Sequence, residues 1–398
     1  MARYNKGLFW AFDEFEIVIM SLQTESIIDF LDPINIAMIS NDEGFKDSQL
    51  GKHIAVFEEE FPDISQADFV IVGCGEMRGA GVGLTSTNAP DAIRAEYYKL
   101  FHWHTQVNVA DIGNVKSGAT LEDTYAALRT VVAELMDQKK KVVILGGSHD
   151  ITTAQYQAYG TKERIIDVAC VDARIDLDMD SVLPADNFLV EMLTGMPNYL
   201  KHYSHIGFQS YFMHPDMLET IDKLGFDCYR VGKVKERIEE MEPAIRNSEL
   251  FSFDIAAIQH AHAPANRLTP NGFNGEEACT LMQYAGMSNN CDSIGIYGYI
   301  SEQDEHALTA KQISHMLWYL MDGIHKGKEE ASLDNKSEFN EFTMAFAEVE
   351  TTFLQSKRTG RWWMQLHDGK YVACSHFDYI IASNNEIPER WFRAVERS

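Results

Sequence analysis

Hydrophobic positions along this chain fall into two alternating kinds of run. Short stretches that are mostly apolar on both faces occur at Asp68–Gly73, Val107–Gly113, Lys141–Gly146, Asp167–Asp172, Ser204–Phe208, Asp227–Val231, Leu250–Ile255 and Ser293–Gly298. Each has the length of a strand. The lack of polar alternation predicts strands covered on both sides, as in a parallel sheet flanked by helices. Between them lie segments of helical period. The clearest is Thr120–Lys139, with Leu121, Tyr125, Leu128, Val132 and Leu135 on one face; Pro215–Leu224, Gly275–Met287 and Thr309–Ile324 repeat the pattern. Strand and helix in alternation predict an α/β fold with a mainly parallel, eight-stranded sheet.

Both ends of the chain depart from this pattern. Residues 1–65 carry acidic and mixed segments with Pro33 and Pro62 and form an N-terminal extension. The α/β domain spans 66–327. Residues 326–342 are rich in Lys and Glu, as expected of a solvated linker or exposed helix. The C-terminal extension, 328–398, regains structure from Thr343 onward and holds Trp362, Trp363, Tyr371, Phe377, Tyr379, Trp391 and Phe392. Packing of this aromatic tail on the core is the expectation, with a subunit contact as the alternative.

Composition narrows the class. With 45% hydrophobic residues over 398 positions the chain can bury a large core. A net charge of -26 argues against nucleic acid or an anionic membrane as partner. No apolar run approaches the roughly 18 residues of a membrane-spanning helix. The start, Met1 to Gly7 followed by Glu14 and Glu16, does not resemble a signal peptide. Six scattered cysteines without a Cys-x-x-Cys pair predict buried free thiols and a cytoplasmic protein.

Candidate chemistry sits at the carboxyl ends of the strands, where open parallel sheets bind ligands. One strand ends in Gly146-Gly147-Ser148-His149-Asp150, a second in Asp172-Ala173-Arg174-Ile175-Asp176, a third in Ser252-Phe253-Asp254-Ile255-Ala256. These ends bring one imidazole and at least three carboxylates toward one crevice. Hard oxygen donors with one imidazole suit Mn2+ or a similar divalent ion. Taken singly, each has a plainer explanation: an Asp at a strand end often caps a helix, and Gly-Gly-Ser-His can be a tight turn. Arg174 cannot bind a metal, because it stays protonated. The glycine-rich run Gly73–Gly83 lacks the Gly-Lys-Ser/Thr of a P-loop, and Glu76 and Arg78 interrupt a dinucleotide fingerprint. It is expected to be a flexible loop bordering the crevice.

Residues 66–325 resemble the arginase, agmatinase and formimidoylglutamase (ureohydrolase) superfamily, with the formimidoylglutamase branch the most similar. The resemblance rests on Asn88-Ala-Pro-Asp-Ala-Ile-Arg94, Gly146-Gly-Ser-His149-Asp, Asp172-Ala-Arg-Ile-Asp176, Ser252-Phe-Asp254-Ile, Ala263-Pro-Ala-Asn and Pro270-Asn-Gly272-Phe, in matching order and spacing. It implies a three-layer fold and hydrolysis of guanidino or formimino C–N bonds by two Mn2+ ions bridged by hydroxide. It also implies a homo-oligomer. The first metal's ligands match His149, Asp172, Asp176 and Asp254. The second metal's two dedicated ligands are replaced, by Arg174 and Ala256. The glutamate that orients the substrate falls at Gly298, and the histidine proton shuttle of arginases at Leu189.

The resemblance therefore implies one Mn2+ or other divalent ion at most, with no second metal. Arg174 is expected to occupy the second ion's space and pair with Asp172 and Asp254. Two carboxylates about 4 Å apart repel by roughly 4 kcal/mol at an effective dielectric of 20, and a guanidinium between them relieves this. His260 and His262, just beyond Ala256, are alternative ligands. Three functions are compatible with these residues. One is a pseudoenzyme kept for binding or assembly. Another is a C–N hydrolase acting on formimino or guanidino substrates with one metal or altered chemistry. The third is a small-molecule sensor using the old crevice.

Overall fold

A computed structural model describes residues 27–40, 44–346 and 349–397; the start of the N-terminal extension, with Glu14 and Glu16, lies outside them. All eight predicted strands form. They are β3 (Phe69–Cys74), β4 (Val109–Val115), β5 (Lys141–Gly146), β6 (Ile166–Val171), β7 (Leu200–Phe208), β8 (Asp227–Arg230), β9 (Leu250–Asp254) and β10 (Ser293–Tyr297). They join in the order β4-β3-β5-β10-β9-β6-β7-β8, and each neighbouring pair is parallel. Two short strands from the N-terminal segment, β1 (Leu31–Asp32) and β2 (Ala55–Val56), add to the β4 edge.

The inner strands are buried on both faces because helices cover both. Every residue of β3, β9 and β10 is buried. Helix Leu121–Asp137 starts at a capping box in which Thr120 and Asp123 satisfy each other's backbone N–H groups. Helix Gly275–Met287 starts the same way, from Asn274 and Glu277. It packs closely on helix Leu308–Gly327, where a Cβ at Gly323 would stand 2.2 Å from the Gln283 carbonyl oxygen. A fully buried ion pair anchors helix Ala89–Tyr97 to β4: Arg94 Nε and Nη2 each donate to the Asp111 carboxylate at 2.8 Å.

The C-terminal extension folds as a four-stranded antiparallel sheet, β11 (Phe339–Phe346), β12 (Val349–Ser356), β13 (Trp362–Gln365) and β14 (Tyr371–Cys374), with helices His376–Ser383 and Glu389–Glu396. Phe346, Phe353, Trp362, Met364 and Trp391 share its small core. It packs on the α/β layer, as its aromatic content predicts. Arg246, buried, donates to the Trp362 carbonyl at 2.8 Å and lies 4.3 Å from the Trp363 ring. Arg361 reaches back to the Met287 carbonyl at 2.9 Å. The predicted linker is short: helix Leu308–Gly327 runs to within a dozen residues of β11. The six cysteines are all free, five of them buried, and no helix among the described residues is long and apolar enough to cross a membrane.

Candidate metal centre

Four strands that are consecutive in the sheet, β5, β10, β9 and β6, carry the site at their carboxyl ends. After β5 the chain turns through Gly147, whose N–H donates to the Cys74 carbonyl at 2.9 Å. A Cβ there would stand 2.2 Å from the Glu76 carbonyl oxygen, so the turn requires glycine. It delivers His149 to the floor of the crevice. There Nδ1 lies 2.9 Å from Asp176 Oδ2, 3.3 Å from Asp172 Oδ2 and 3.5 Å from Asp254 Oδ2. All four residues are buried. His149, Asp172 and Asp176 offer ligand atoms within 4.8 Å of one another.

The ring is aimed by its other nitrogen. Nε2 is 3.0 Å from Ser252 Oγ on β9, which Thr152 Oγ1 also meets at 2.8 Å. Ser252 thus orients the imidazole so that Nδ1 faces the carboxylates. His205, on β7, places Nε2 3.1 Å from the Asp172 carbonyl; burial drives its pKa down to about 4. Neither residue was singled out from sequence. Ser252 stands inside the Ser-x-Asp motif, so its supporting part was legible there. His205 had no such signal.

Electrostatically the cluster crowds three carboxylates round one imidazole. Burial, then the neighbouring Asp172, pushes the Asp176 carboxyl up to about 7 and that of Asp254 up to about 6. Burial opposes the charged form of His149, but Cys170 and the hydrogen-bonding Asp172 and Asp176 carboxylates hold its pKa well above the ordinary value. Asp176 Oδ2 is buried, and its contact is the 2.9 Å ion pair with His149 Nδ1. Three buried carboxylates and one imidazole nitrogen form a donor set that fits a hard or borderline divalent cation.

The substituted positions lie around this cluster. The Ala256 N–H donates to Asp254 Oδ1 at 2.6 Å, and its methyl offers no ligand. Gly298 follows β10 with φ +77°, and a Cβ there would stand 2.3 Å from Asp254 Oδ1. Leu189 is fully buried in helix Pro184–Thr194, with its N–H on the Asp176 carbonyl at 3.1 Å. It lines the ligand loop from behind and provides no proton carrier.

Arg174 departs from expectation. It does not insert between Asp172 and Asp254. Its ion pair among the described residues is with Asp186, Nη2 to Oδ1 at 3.4 Å. The side chain is 43% exposed, and Nε is buried without a partner. The reason is local: Asp186 opens helix Pro184–Thr194 and is fixed there by the Ser181 hydroxyl at 2.9 Å, which gives Arg174 an anion outside the cluster. His260 and His262 also stay out of the cluster. His260 Nδ1 meets the Asn266 carbonyl at 2.8 Å, and His262 lines a groove beside Phe101 and Trp103. The loop after β3 is bonded in place. Arg78 pairs with Glu76 at 2.6 Å and donates to the carbonyls of Gly118, Ala119 and Thr120.

The model of the arginase family matches residues 67–322. This chain belongs to the arginase family. It is 21% identical over 304 residues to the formimidoylglutamase of Lysinibacillus sphaericus, spanning 73% of this chain and 94% of that protein. It is 26% identical over 152 residues to that of Hahella chejuensis, across 35% of this chain and 46% of the relative. Among solved structures, Trypanosoma cruzi formiminoglutamase, determined with Mn2+, superposes with a TM-score of 0.62 at 16% identity, covering 70% of this chain and 99% of the other. The formimidoylglutamase of Bacillus subtilis gives 0.62 at 16% identity over 72% and 95%. The α/β layer is therefore an arginase-like fold, and β11–β14 form an additional antiparallel sheet at its C-terminal end.

Proposed function

We propose that the crevice of this arginase-family protein is a single-cation site, and that the chain binds a small amidine-type ligand there without acting as a dinuclear hydrolase. His149, Asp172, Asp176 and Asp254 would hold one Mn2+ or similar ion. The observation that carries this reading is the convergence of three buried carboxylates on His149 Nδ1. Nothing equivalent supports a second ion. Arg174 and Ala256 supply no ligand, and the Arg174 charge near the cluster opposes a further dication. Its pKa is raised, against the cost of burial, by Asp176, Asp172, Asp186 and Asp254 in turn.

Recognition of the ligand falls to what the crevice retains. The names of the relatives point to formimino or guanidino compounds. A bound ion would polarise such a group or a water molecule. The chain itself places His149, aimed by Ser252, and an exposed guanidinium at Arg174 beside that position. It offers no carboxylate at 298 and no imidazole at 189 for orientation or proton transfer.

One-metal C–N hydrolysis is a second reading, favoured by the complete quartet. A panel of formimino, guanidino and amidino compounds, with and without Mn2+, separates the two. Mn2+-dependent binding without turnover is expected. Mn2+-dependent turnover that Asp172→Asn abolishes would replace the binding role with the hydrolytic one.

A further inference from the structure

A cavity of about 600 Å³ lies at the opposite edge of the sheet, between the amino ends of β6–β8 and the two C-terminal helices. It exists because the C-terminal extension packs there. Its floor comes from the family domain, through Asp167, His202 and Asp227. Its roof comes from Phe377, Arg390, Arg393 and Arg397 of the extension.

Most charges in its wall already have partners. Asp227 receives His202 Nε2 at 2.9 Å, Arg393 at 2.6 Å and Arg397 at 3.2 Å. Arg390 pairs with Asp378 at 2.9 Å, and Lys233 with Glu236 at 3.2 Å. Three groups remain. Asp167 has a buried carboxylate oxygen with no hydrogen bond, and burial raises its pKa. His202 is 94% buried, and its Nδ1 has no partner. Arg237 lies 4.0 Å from the Phe377 ring and makes no ion pair among the described residues.

The chemistry of these groups in one cavity is complementary to a zwitterion. Asp167 and His202 are direct partners in the β6–β7 ladder, so they stand side by side on one face of the sheet. With His202 Nε2 on Asp227, the Nε2–H tautomer leaves Nδ1 as an acceptor. Carboxylate and imidazole lone pair together receive a cationic amine. Arg237, 4.0 Å from the Phe377 ring and without an ion pair among the described residues, receives a carboxylate. Val234, Met241 and Ile381 add apolar wall.

We propose that this cavity binds a free amino acid, with its ammonium on Asp167 and His202 and its carboxylate on Arg237. The site is separate from the metal centre and owes its roof to the extension.

Calorimetric titration of the full-length protein with glycine, leucine, glutamate and arginine tests this. Leucinamide and 4-methylvalerate, each lacking one charge, serve as controls. At least one amino acid should bind saturably, and its amide and deaminated forms at least about tenfold more weakly, the effect of losing one charge-assisted contact. Asp167→Asn and Arg237→Gln should each weaken binding about tenfold, and Asp254→Asn should leave it unchanged. Arg237 is on the surface, so its variant keeps the test valid even where Asp167→Asn destabilises the fold. Absence of binding by all four amino acids, or affinity indifferent to both substitutions, would overturn the proposal. Loss of binding in Asp254→Asn would move the ligand to the metal crevice and equally overturn it.

Discussion

Replacing Asp254 by Asn should make the cation-free protein more stable while removing its response to cations. In the folded state burial and Asp172 push the Asp254 carboxyl up to about 6, against roughly 3.9 in an unfolded chain. Between about pH 4 and about pH 6 the folded protein keeps a proton that the unfolded chain has released. Stability without a cation therefore falls as pH rises through that window, and the loss is complete above it. Two pH units correspond to roughly 3 kcal/mol. Asn removes this cost and keeps an oxygen for the Ala256 N–H, now 2.6 Å from Asp254 Oδ1. Urea unfolding in EDTA at pH 8 should show Asp254→Asn more stable than wild type by on the order of 2–3 kcal/mol, with the gap closing near pH 4. In Mn2+ the order should reverse, because wild type gains about 4.1 kcal/mol at a thousandfold excess over Kd and the variant gains little. A variant less stable than wild type at pH 8 in EDTA, or a gap that does not shrink on acidification, would refute the electrostatic reasoning.

Asp227→Asn should cost roughly 2 kcal/mol in urea unfolding at pH 7, since His202, Arg397 and Arg393 lower the Asp227 pKa to about 2 against the cost of burial. That stabilisation is present above about pH 4 and lost as pH falls through about 2. Arg94→Met should cost about 3–5 kcal/mol by stranding the Asp111 carboxylate, fully buried with it; a melting temperature within a degree of wild type would contradict this. Gly298→Ala puts a Cβ 2.3 Å from Asp254 Oδ1 at a φ of +77°. It should cost about 1–3 kcal/mol and weaken Mn2+ binding, read by melting temperature with and without the ion.

The central sheet was legible because its inner strands are buried on both faces and carry mostly apolar runs. Ends moved by a few residues where polar side chains are buried through partners. Strand β7 begins at Leu200 rather than Ser204 because His202 is buried against Asp227. Strands β1 and β2 span two residues each, too short for any periodic signal, and exist through pairing with β4. In the extension the aromatic residues marked a core, but only the β11–β14 pairing shows that they line one antiparallel sheet. The site shows the same division. His149, Asp172, Asp176 and Asp254 follow strand ends and were visible as motifs. The direction of Arg174 was not, because it is set by Asp186, twelve residues on, at the start of a helix. Sequence placed a guanidinium near the cluster; the geometry pairs it with Asp186 and leaves the three carboxylates gathered on His149.

The most direct test is elemental analysis of protein purified without chelator and then equilibrated with Mn2+. One ion per chain is predicted for wild type and two for the Arg174→His, Ala256→Asp double variant, which restores both missing ligands. Two ions in wild type, or none, would contradict the single-cation account.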